Sequence, residues 1–450
     1  MSELPSDLSR RIEEHGQSHL LRFWDELTEA NQRSFLNQLE SIDFGLFASL
    51  KDQSASKPMG RIEPAQTCAP DATCKSIGEK ILRSGELGVL TLAGGQGSRL
   101  GWSGPKGTFP ATPVTGKSLF QVIAEQIVFA TKKYGMPIPW YIMTSEENDA
   151  STRSFLLDNN CFGLDRTDIF LFKQGEVPVV DKEGKMLLAE KGKIAVSPDG
   201  SGGVLGALQQ SGALEEMESR GVQYLSYLQI DNPLVHAVDP VFLGMHVSGD
   251  SSQEVTSKFV KKTNPSERVG VFCSVDGRLR IVEYSELPPE KAKQTDANGE
   301  LIFQAGSIAI HIMSPEFLKN TECELPWHLA HKKVSYIDIE TGERVVPDTP
   351  NAYKYERFVF DILPLARCSI VVETCREEEF APIKNATGQD SKETSQAMQL
   401  RRAICWLEAN GIEVNPNARV EISALTASCS EDLQGLKMPT SVGEHDIVVL

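Results

Sequence analysis

Three glycines, Gly94, Gly95 and Gly97, are followed closely by two cations, Arg99 and Lys106. Glycines let several backbone N–H groups point at one small volume, and such a concavity with positive charge beside it suits phosphate. The apolar run of Leu87, Val89, Leu90 and Leu92 that leads into them reads as a buried strand, and Ser118 as the entry of the next helix. Two better-known phosphate loops do not fit. A dinucleotide fingerprint counted through Gly95 and Gly97 puts Leu100 where its third glycine belongs, and a P-loop ending in Gly116-Lys117-Ser118 puts Ala111 at its first glycine. The plain alternative is a tight strand-to-helix turn with incidental charges.

A second glycine-rich loop, Ser197-Pro198-Asp199-Gly200-Ser201-Gly202-Gly203, opens a helical stretch carrying Val204, Leu205 and Leu208. Free N–H groups and a positive helix end there suit a flat polar base or another phosphate, with an ordinary loop as the competing reading. The strand-like run Tyr224 to Ile230 ends in Asp231-Asn232-Pro233. A carboxylate in that place, beside an asparagine, can hold Mg²⁺ that bridges nucleotide phosphates, although the same tripeptide also makes a simple turn. Further on, Phe358 and Phe360 alternate as in a strand with both rings on one face. By themselves Lys384 reads as a surface lysine, Glu283 as a solvent-facing strand residue and Lys261-Lys262 as a solvated charge run. His236, His311, His328 and His331 have no metal-ligand spacing and read as structural.

In order and spacing these motifs resemble the signature of the nucleotide-sugar pyrophosphorylases that use UTP, in which G-G-x-G-[TS]-R-[LM]-G is followed by P-K. The chain reads Gly94-Gly95-Gln96-Gly97-Ser98-Arg99-Leu100-Gly101 and then Pro105-Lys106. Within that group it looks most like the UDP-N-acetylhexosamine pyrophosphorylases, from about Gly85 to about Asn385. The resemblance implies that Arg99, Lys106, Ser98 and the Gly94 to Gly97 backbone face pyrophosphate. It implies that Asp231, with Asn232 beside it, holds Mg²⁺ and the reacting phosphate, and that Lys384 of Pro382-Ile383-Lys384-Asn385 reaches the phosphates from the far side. It assigns the uracil to Gln174 and the backbone of Pro198 to Gly200, and the hexose to Ser201, Gly270, Glu283, Ser307, Phe358 and Phe360. Two of these depart from the pattern: Ser201 and Ser307 stand where the hexosamine enzymes have asparagine.

Such residues need a scaffold that gathers strand ends. From about Ile77 strand and helix signals alternate, which predicts a mainly parallel sheet flanked by helices, with ligands beyond the carboxyl ends of the strands. Trp140 to Thr144 and Ile169 to Phe172 read as further strands, and Ser118 with Gln121 as a capping box for a helix that buries Leu119, Ile123 and Ile127. Val269 to Val275, the turn Asp276-Gly277 and Arg278 to Tyr284 predict a hairpin. Leu8 to about Leu50 reads as two or three surface helices, and Lys51 to Lys75 as an extended connector. The expected organisation is a helical N-terminal segment with linker over 1–75, a catalytic domain over 76–385 and a small C-terminal segment over 386–450, begun by an amphipathic helix from about Ser391. By resemblance the central α/β domain is a Rossmann-like nucleotidyltransferase sheet of the GT-A type, mainly parallel with antiparallel additions.

The 450 residues are 40% hydrophobic, enough for a substantial core, and a net charge of −17 argues against a nucleic-acid or anionic-membrane surface. Any anion site must therefore be a local knot of positive charge. There is no apolar run of membrane length and no apolar signal core, so a cytoplasmic protein is expected. Nine cysteines without a C-x-x-C pair, in settings such as Phe272-Cys273 and Ile404-Cys405-Trp406, read as reduced core thiols. The reaction implied by the resemblance is attack of a sugar 1-phosphate on the α-phosphorus of UTP, releasing pyrophosphate, with no covalent nucleophile. UDP-N-acetylglucosamine is the product the resemblance favours. The two serines keep a glucose 1-phosphate or broad-specificity uridylyltransferase as runner-up. A nucleotide-sugar-binding regulator without turnover is the alternative from another class, and a nicotinamide enzyme would need the glycine that Leu100 replaces.

Overall fold

A strand with no polar alternation must be covered on both faces, and Leu87–Leu92 is buried along nearly its whole length. In the computed structural model, which describes residues 4–47, 60–321 and 325–450, it is one of ten strands in a single sheet. In chain order these are β1 (Ile62–Pro64), β2 (Leu87–Leu92), β3 (Trp140–Thr144), β4 (Ile169–Lys173), β5 (Tyr224–Gln229), β6 (Val255–Lys261), β7 (Val271–Val275), β8 (Arg278–Val282), β9 (Ala305–Met313) and β10 (Ile370–Glu373). At the centre β5, β2, β3 and β4 run parallel. Beyond β5 the sheet continues antiparallel through β9 to β6 and β7, then to β8 and β1, and β10 pairs parallel with β6. The expected parallel centre with antiparallel additions is the one that forms.

Parallel neighbours need a crossover, and helix α1 (Leu119–Tyr134) supplies the one between β2 and β3. Ser118 caps it, accepting from the Gln121 N–H at 3.1 Å, and Leu119, Ile123 and Ile127 are buried. Only half of the expected capping box is made, because the Gln121 amide turns to the Glu125 carboxylate one turn on, at 2.9 Å. A charged acceptor is the stronger partner. The β7–β8 hairpin closes through Asp276 and Gly277, with φ of 51° and 81°, the left-handed pair that a two-residue turn requires. Part of the expected connector is not a linker: Ile62 is buried with Val271 and Val275, and β1 joins the sheet edge opposite β7. Residues 51–59 of that connector lie outside the described residues.

By internal contacts the chain forms two compact units, each discontinuous in sequence. The first comprises Met1–Met59, Gln174–Val204 and Glu324–Asp361; the second, which holds the ten-stranded sheet, comprises Gly60–Lys173, Leu205–Cys323 and Ile362–Leu450. In the first unit the helices Ser6–Glu14 and Glu29–Glu40, expected as surface helices, each bury one face in the core. Leu8, Ile12, Leu20, Phe35 and Leu39 pack with Val177, Met186, Ile194, Ile337 and Tyr355. The amide of Gln38 adds a strand-like bridge, donating to the Ile194 carbonyl at 3.2 Å and accepting from its N–H at 2.8 Å.

In the second unit, the residues after 390 form helix α2 (Lys392–Ala409) and two short parallel strand pairs around a core of Trp406, Leu407, Val420 and Leu433. This segment grips the loop that precedes α1. Gln396 donates to the Thr112 carbonyl at 2.8 Å, Arg419 to that of Pro113 at 2.7 Å, and the Glu421 carboxylate accepts from the N–H groups of Val114 and Thr115 at 2.8 and 2.9 Å. Lys117 pairs with Glu125 at 2.6 Å and Ser423 at 2.9 Å. The near-P-loop at Gly116-Lys117-Ser118 is thus filled by the protein's own carboxylates.

The eight described cysteines are free, as expected, but only Cys161 and Cys273 are buried. Cys405 is exposed although Ile404 and Trp406 flank it, because successive helical residues point about 100° apart. Among the described residues no helix is long and apolar enough to cross a membrane.

Candidate functional site

In the second unit β2 and β5 are parallel neighbours in register from Leu87–Tyr224 to Leu92–Gln229, so the loops that follow them leave the same edge of the sheet. That register brings the glycine loop and its cations to Asp231. Lys106, on the single turn Lys106–Thr108, donates from Nζ to Asp231 Oδ2 at 3.0 Å, with only 16% and 13% of the two side chains exposed. The turn is pinned where it is because Gly107 lies on the Phe120 ring, which a Cβ there would approach to 2.2 Å.

The loop folds back on itself: the Lys106 N–H donates to the Gly95 carbonyl at 3.0 Å and the Gly97 N–H to that of Gly104 at 2.9 Å. The Gly97 amide is therefore committed, which corrects its expected place among the ligand-facing donors. The N–H groups of Gly94, Gly95, Gln96, Ser98 and Arg99 find no acceptor among the described residues, and a Cβ at Gly95 would meet nothing within 4 Å. Arg99 and Ser98 lie exposed beyond them. A residue missed in the sequence holds this shape. Asn148, fully buried after β3, donates to the carbonyls of Ala93 and Gly95 at 2.9 and 3.2 Å and accepts from the Ser145 N–H at 2.8 Å. Its only sequence signal is a polar side chain shortly after the neighbouring strand.

Burial alone would push the Asp231 carboxyl up, but Lys106 and Lys384 outweigh it and hold it below the ordinary carboxylate range. The Asp231 carbonyl accepts from the Ile383 N–H at 2.8 Å, and Lys384, the next residue, is exposed. Asn232 does not face a ligand as expected. Its amide is engaged at both ends, donating to the Glu379 carbonyl at 2.7 Å and accepting from the Ala381 N–H at 3.0 Å.

Gly270, Glu283 and Ser307 also come together in this unit. The Ser307 N–H donates to the Gly270 carbonyl at 2.8 Å, and Glu283 Oε1 would lie 3.2 Å from a Cβ on Gly270. The adjoining Lys261-Lys262 pair is not one solvated run: Lys261 pairs with Glu373 at 3.0 Å, whereas Lys262 is buried and its ammonium is held below the usual lysine range by desolvation. His236, Asp239 and Glu379 could together ligate a metal ion, but Lys258 Nζ already donates to both carboxylates, at 2.7 Å to Asp239 and 2.6 Å to Glu379 Oε2.

In the first unit Gln174 precedes the paired strands Glu176–Pro178 and Val196–Pro198, and the Asp199 N–H donates to the Gly175 carbonyl at 3.1 Å. The second glycine loop is clasped by Arg357. Its N–H donates to the Asp199 carbonyl and its carbonyl accepts from the Gly202 N–H, both at 2.8 Å, while its guanidinium reaches Asp199 Oδ2 at 3.1 Å and lies 4.4 Å from the Trp327 ring centre. Burial pushes the Asp199 carboxyl up despite that partner. Gly200 has φ of 86°, and a Cβ there would come 2.4 Å from the Arg357 carbonyl oxygen. Gly200→Ala is therefore expected to lower unfolding stability by about 2 kcal/mol or more, read from urea denaturation. A change within about 0.5 kcal/mol would show that the clasp is not rigid.

Ser201, expected to face the hexose, turns its hydroxyl to the backbone here, accepting from the Val359 N–H at 3.2 Å. Phe358 and Phe360 share a face, with ring centres 4.9 Å apart and planes 18° apart, but not on a strand. Phe360 lies in the short helix Val359–Leu365, begun where the Ser201 hydroxyl takes the Val359 N–H.

Compared with known proteins, the family described as UTP–glucose-1-phosphate uridylyltransferase matches residues 51–427. The chain is similar to UDP-N-acetylhexosamine pyrophosphorylase-like protein 1 of Xenopus tropicalis, 39% identical over 430 residues, covering 88% of this chain and 82% of that protein. It is also similar to the UDP-N-acetylglucosamine pyrophosphorylase of Saccharomyces cerevisiae, 32% identical over 468 residues and covering 96% and 97% of the two. Among solved structures, the uridine diphosphate N-acetylglucosamine pyrophosphorylase of Trypanosoma brucei in complex with inhibitor matches with a TM-score of 0.83, at 26% identity over 100% of this chain and 98% of that one. A UDP-glucose pyrophosphorylase of Leishmania major in complex with UDP-glucose shares the fold, with a TM-score of 0.62 at 15% identity over 93% and 91%.

Proposed function

The chain belongs to the UTP–glucose-1-phosphate uridylyltransferase family, and on that premise we propose that it joins UTP to a hexose 1-phosphate, giving a UDP-sugar and pyrophosphate. The observation that carries this reading is the Lys106–Asp231 pair, mostly buried beside amides that have no acceptor among the described residues. In a chain of net charge −17, that is a local set of donors fixed before any reactant arrives.

The chemistry asks for little more. A sugar 1-phosphate is already anionic at neutral pH and attacks the α-phosphorus in line, so no base need be found; the obstacles are repulsion between two polyanions and the charge that grows on departing pyrophosphate. Arg99, Lys106 and the free amides of Gly94, Gly95 and Ser98 would meet that charge, and Lys384 the sugar phosphate. Lys106 occupies one oxygen of Asp231, and the other fits Mg²⁺, which binds through one or two carboxylates together with phosphate oxygens. When bound, the ion would neutralise charge on the reacting phosphates. In the second unit, Gly270, Glu283 and Ser307 are the proposed hexose contacts.

The test is pyrophosphate release from UTP that depends on an added sugar 1-phosphate. Its absence with every hexose and hexosamine 1-phosphate would leave a nucleotide-sugar-binding regulator as the better reading. UDP-N-acetylglucosamine is the product favoured by likeness, with UDP-glucose as runner-up because of two side chains. Ser307 offers a hydroxyl in place of an amide, and the hydroxyl of Ser201 is already engaged by Val359. If those two serines set the choice of sugar, glucose 1-phosphate will serve at least as well as N-acetylglucosamine 1-phosphate by kcat/KM. A strong preference for the acetylated sugar would remove both serines from the choice.

A further inference from the structure

Lys258 and Glu379 are among the most deeply buried charged residues of the second unit, with 3% and 1% of their surface exposed. Lys258 Nζ donates to both oxygens of Glu379, at 2.7 and 2.6 Å, and to Asp239 Oδ2 at 2.7 Å. Glu379 also accepts from the Thr374 hydroxyl at 2.7 Å and the His236 N–H at 3.3 Å. Burial works against the Lys258 ammonium, but Asp239 and Glu379 more than offset it and hold it above the usual lysine range. A buried ion pair of this kind gives little net stability over apolar side chains of the same volume, so its contribution is better sought in geometry.

The geometry is specific. The carbonyl of Glu379 takes one end of the Asn232 amide and the N–H of Ala381 takes the other, while the Ile383 N–H donates to the Asp231 carbonyl at 2.8 Å. Residues 379 to 383 are thus fixed at three places, one on the sheet through Lys258 of β6 and two on the loop of Asp231 itself. Lys384 follows immediately.

We propose that Glu379, anchored on Lys258, is a positioning residue for uridylyl transfer, setting where Lys384 stands relative to Asp231. The inference rests on the reading of Asp231 and Lys384 as phosphate-binding groups. In Glu379→Gln one acceptor oxygen becomes an NH₂ that cannot face the Lys258 ammonium, so the side chain must turn and the segment shifts.

The experiment is a double-mutant cycle of Glu379→Gln with Lys384→Ala, each variant first shown to be folded by circular dichroism and thermal melting. Glu379→Gln is expected to lower kcat by about 10- to 100-fold, the scale for displacing a catalytic group by a fraction of an ångström to an ångström, with the KM for UTP changed by less than about threefold. The double variant is expected to be no slower than Lys384→Ala alone, because Glu379 acts only through that lysine. Multiplying effects would overturn the positioning role while leaving the assignment of Lys384 intact. Unchanged turnover in Lys384→Ala would instead overturn the assignment, and the inference with it. If Glu379→Gln does not fold, Asn232→Ala cuts a second tether of the same segment and must show the same non-additivity with Lys384→Ala; independent effects there also overturn it.

Discussion

Replacing Lys106 by alanine is expected to lower kcat for UDP-sugar formation by about 100-fold or more, equivalent to about 2.7 kcal/mol of lost transition-state stabilisation. Two effects act together. The ammonium proposed to meet charge on the departing pyrophosphate is gone, and Asp231 keeps its burial without its nearest counter-charge, 3.0 Å away in the intact protein. The loop itself should survive, because its folding bonds are made by the Lys106 N–H and by Gly97, and Gly107 still rests on Phe120. Rapid-quench measurement of one turnover with radiolabelled UTP reads the chemical step directly. Turnover near that of the unmodified protein would take Lys106 out of the mechanism.

A comparable loss, about 100-fold or more in kcat, is expected for Asp231→Asn, through loss of charge rather than shape. The amide can still accept from Lys106 but carries no charge for a divalent ion, so Mn²⁺ affinity in the presence of UTP, followed by electron paramagnetic resonance, is expected to fall as well. Unchanged Mn²⁺ affinity would mean that the ion is held elsewhere. The substitution also alters the acid response. Because Lys106 and Lys384 hold the folded carboxyl below its ordinary value, Asp231 contributes stability above an unfolded pKa of about 3.9 and loses it as pH falls through the lowered folded value. The asparagine variant should lack that part of the acid-side decline.

The strand ends to which this chemistry is proposed were readable because they rest on local patterns. An apolar run stopping at glycines, another stopping at Asp231, and Asp-Gly between two alternating runs each state their structure within a few residues, and β2, β5 and the β7–β8 hairpin formed where expected. What holds the ends in place was not local. Asn148 ties the glycine loop from the far side of α1 in the chain, and Glu379 meets Lys258 across more than a hundred residues. A single polar residue of either kind looks like any other until the sheet brings it home. The same limit explains Asn232, which looked like a ligand group beside Asp231 and is instead a clamp, and Ser201, whose hydroxyl serves the backbone of Val359. Cys405 failed for a different reason, since apolar neighbours in sequence do not share a face on a helix.

The discontinuity of the first unit has a consequence during synthesis. The apolar side chains of Leu20, Phe35 and Leu39 leave the ribosome early, yet their packing partners Ile337 and Tyr355 are encoded about 300 residues later. At about 5–20 residues per second that is a wait of roughly 15–60 s before the stripe is fully covered on the nascent chain. The first unit can therefore close only once residue 361 has emerged.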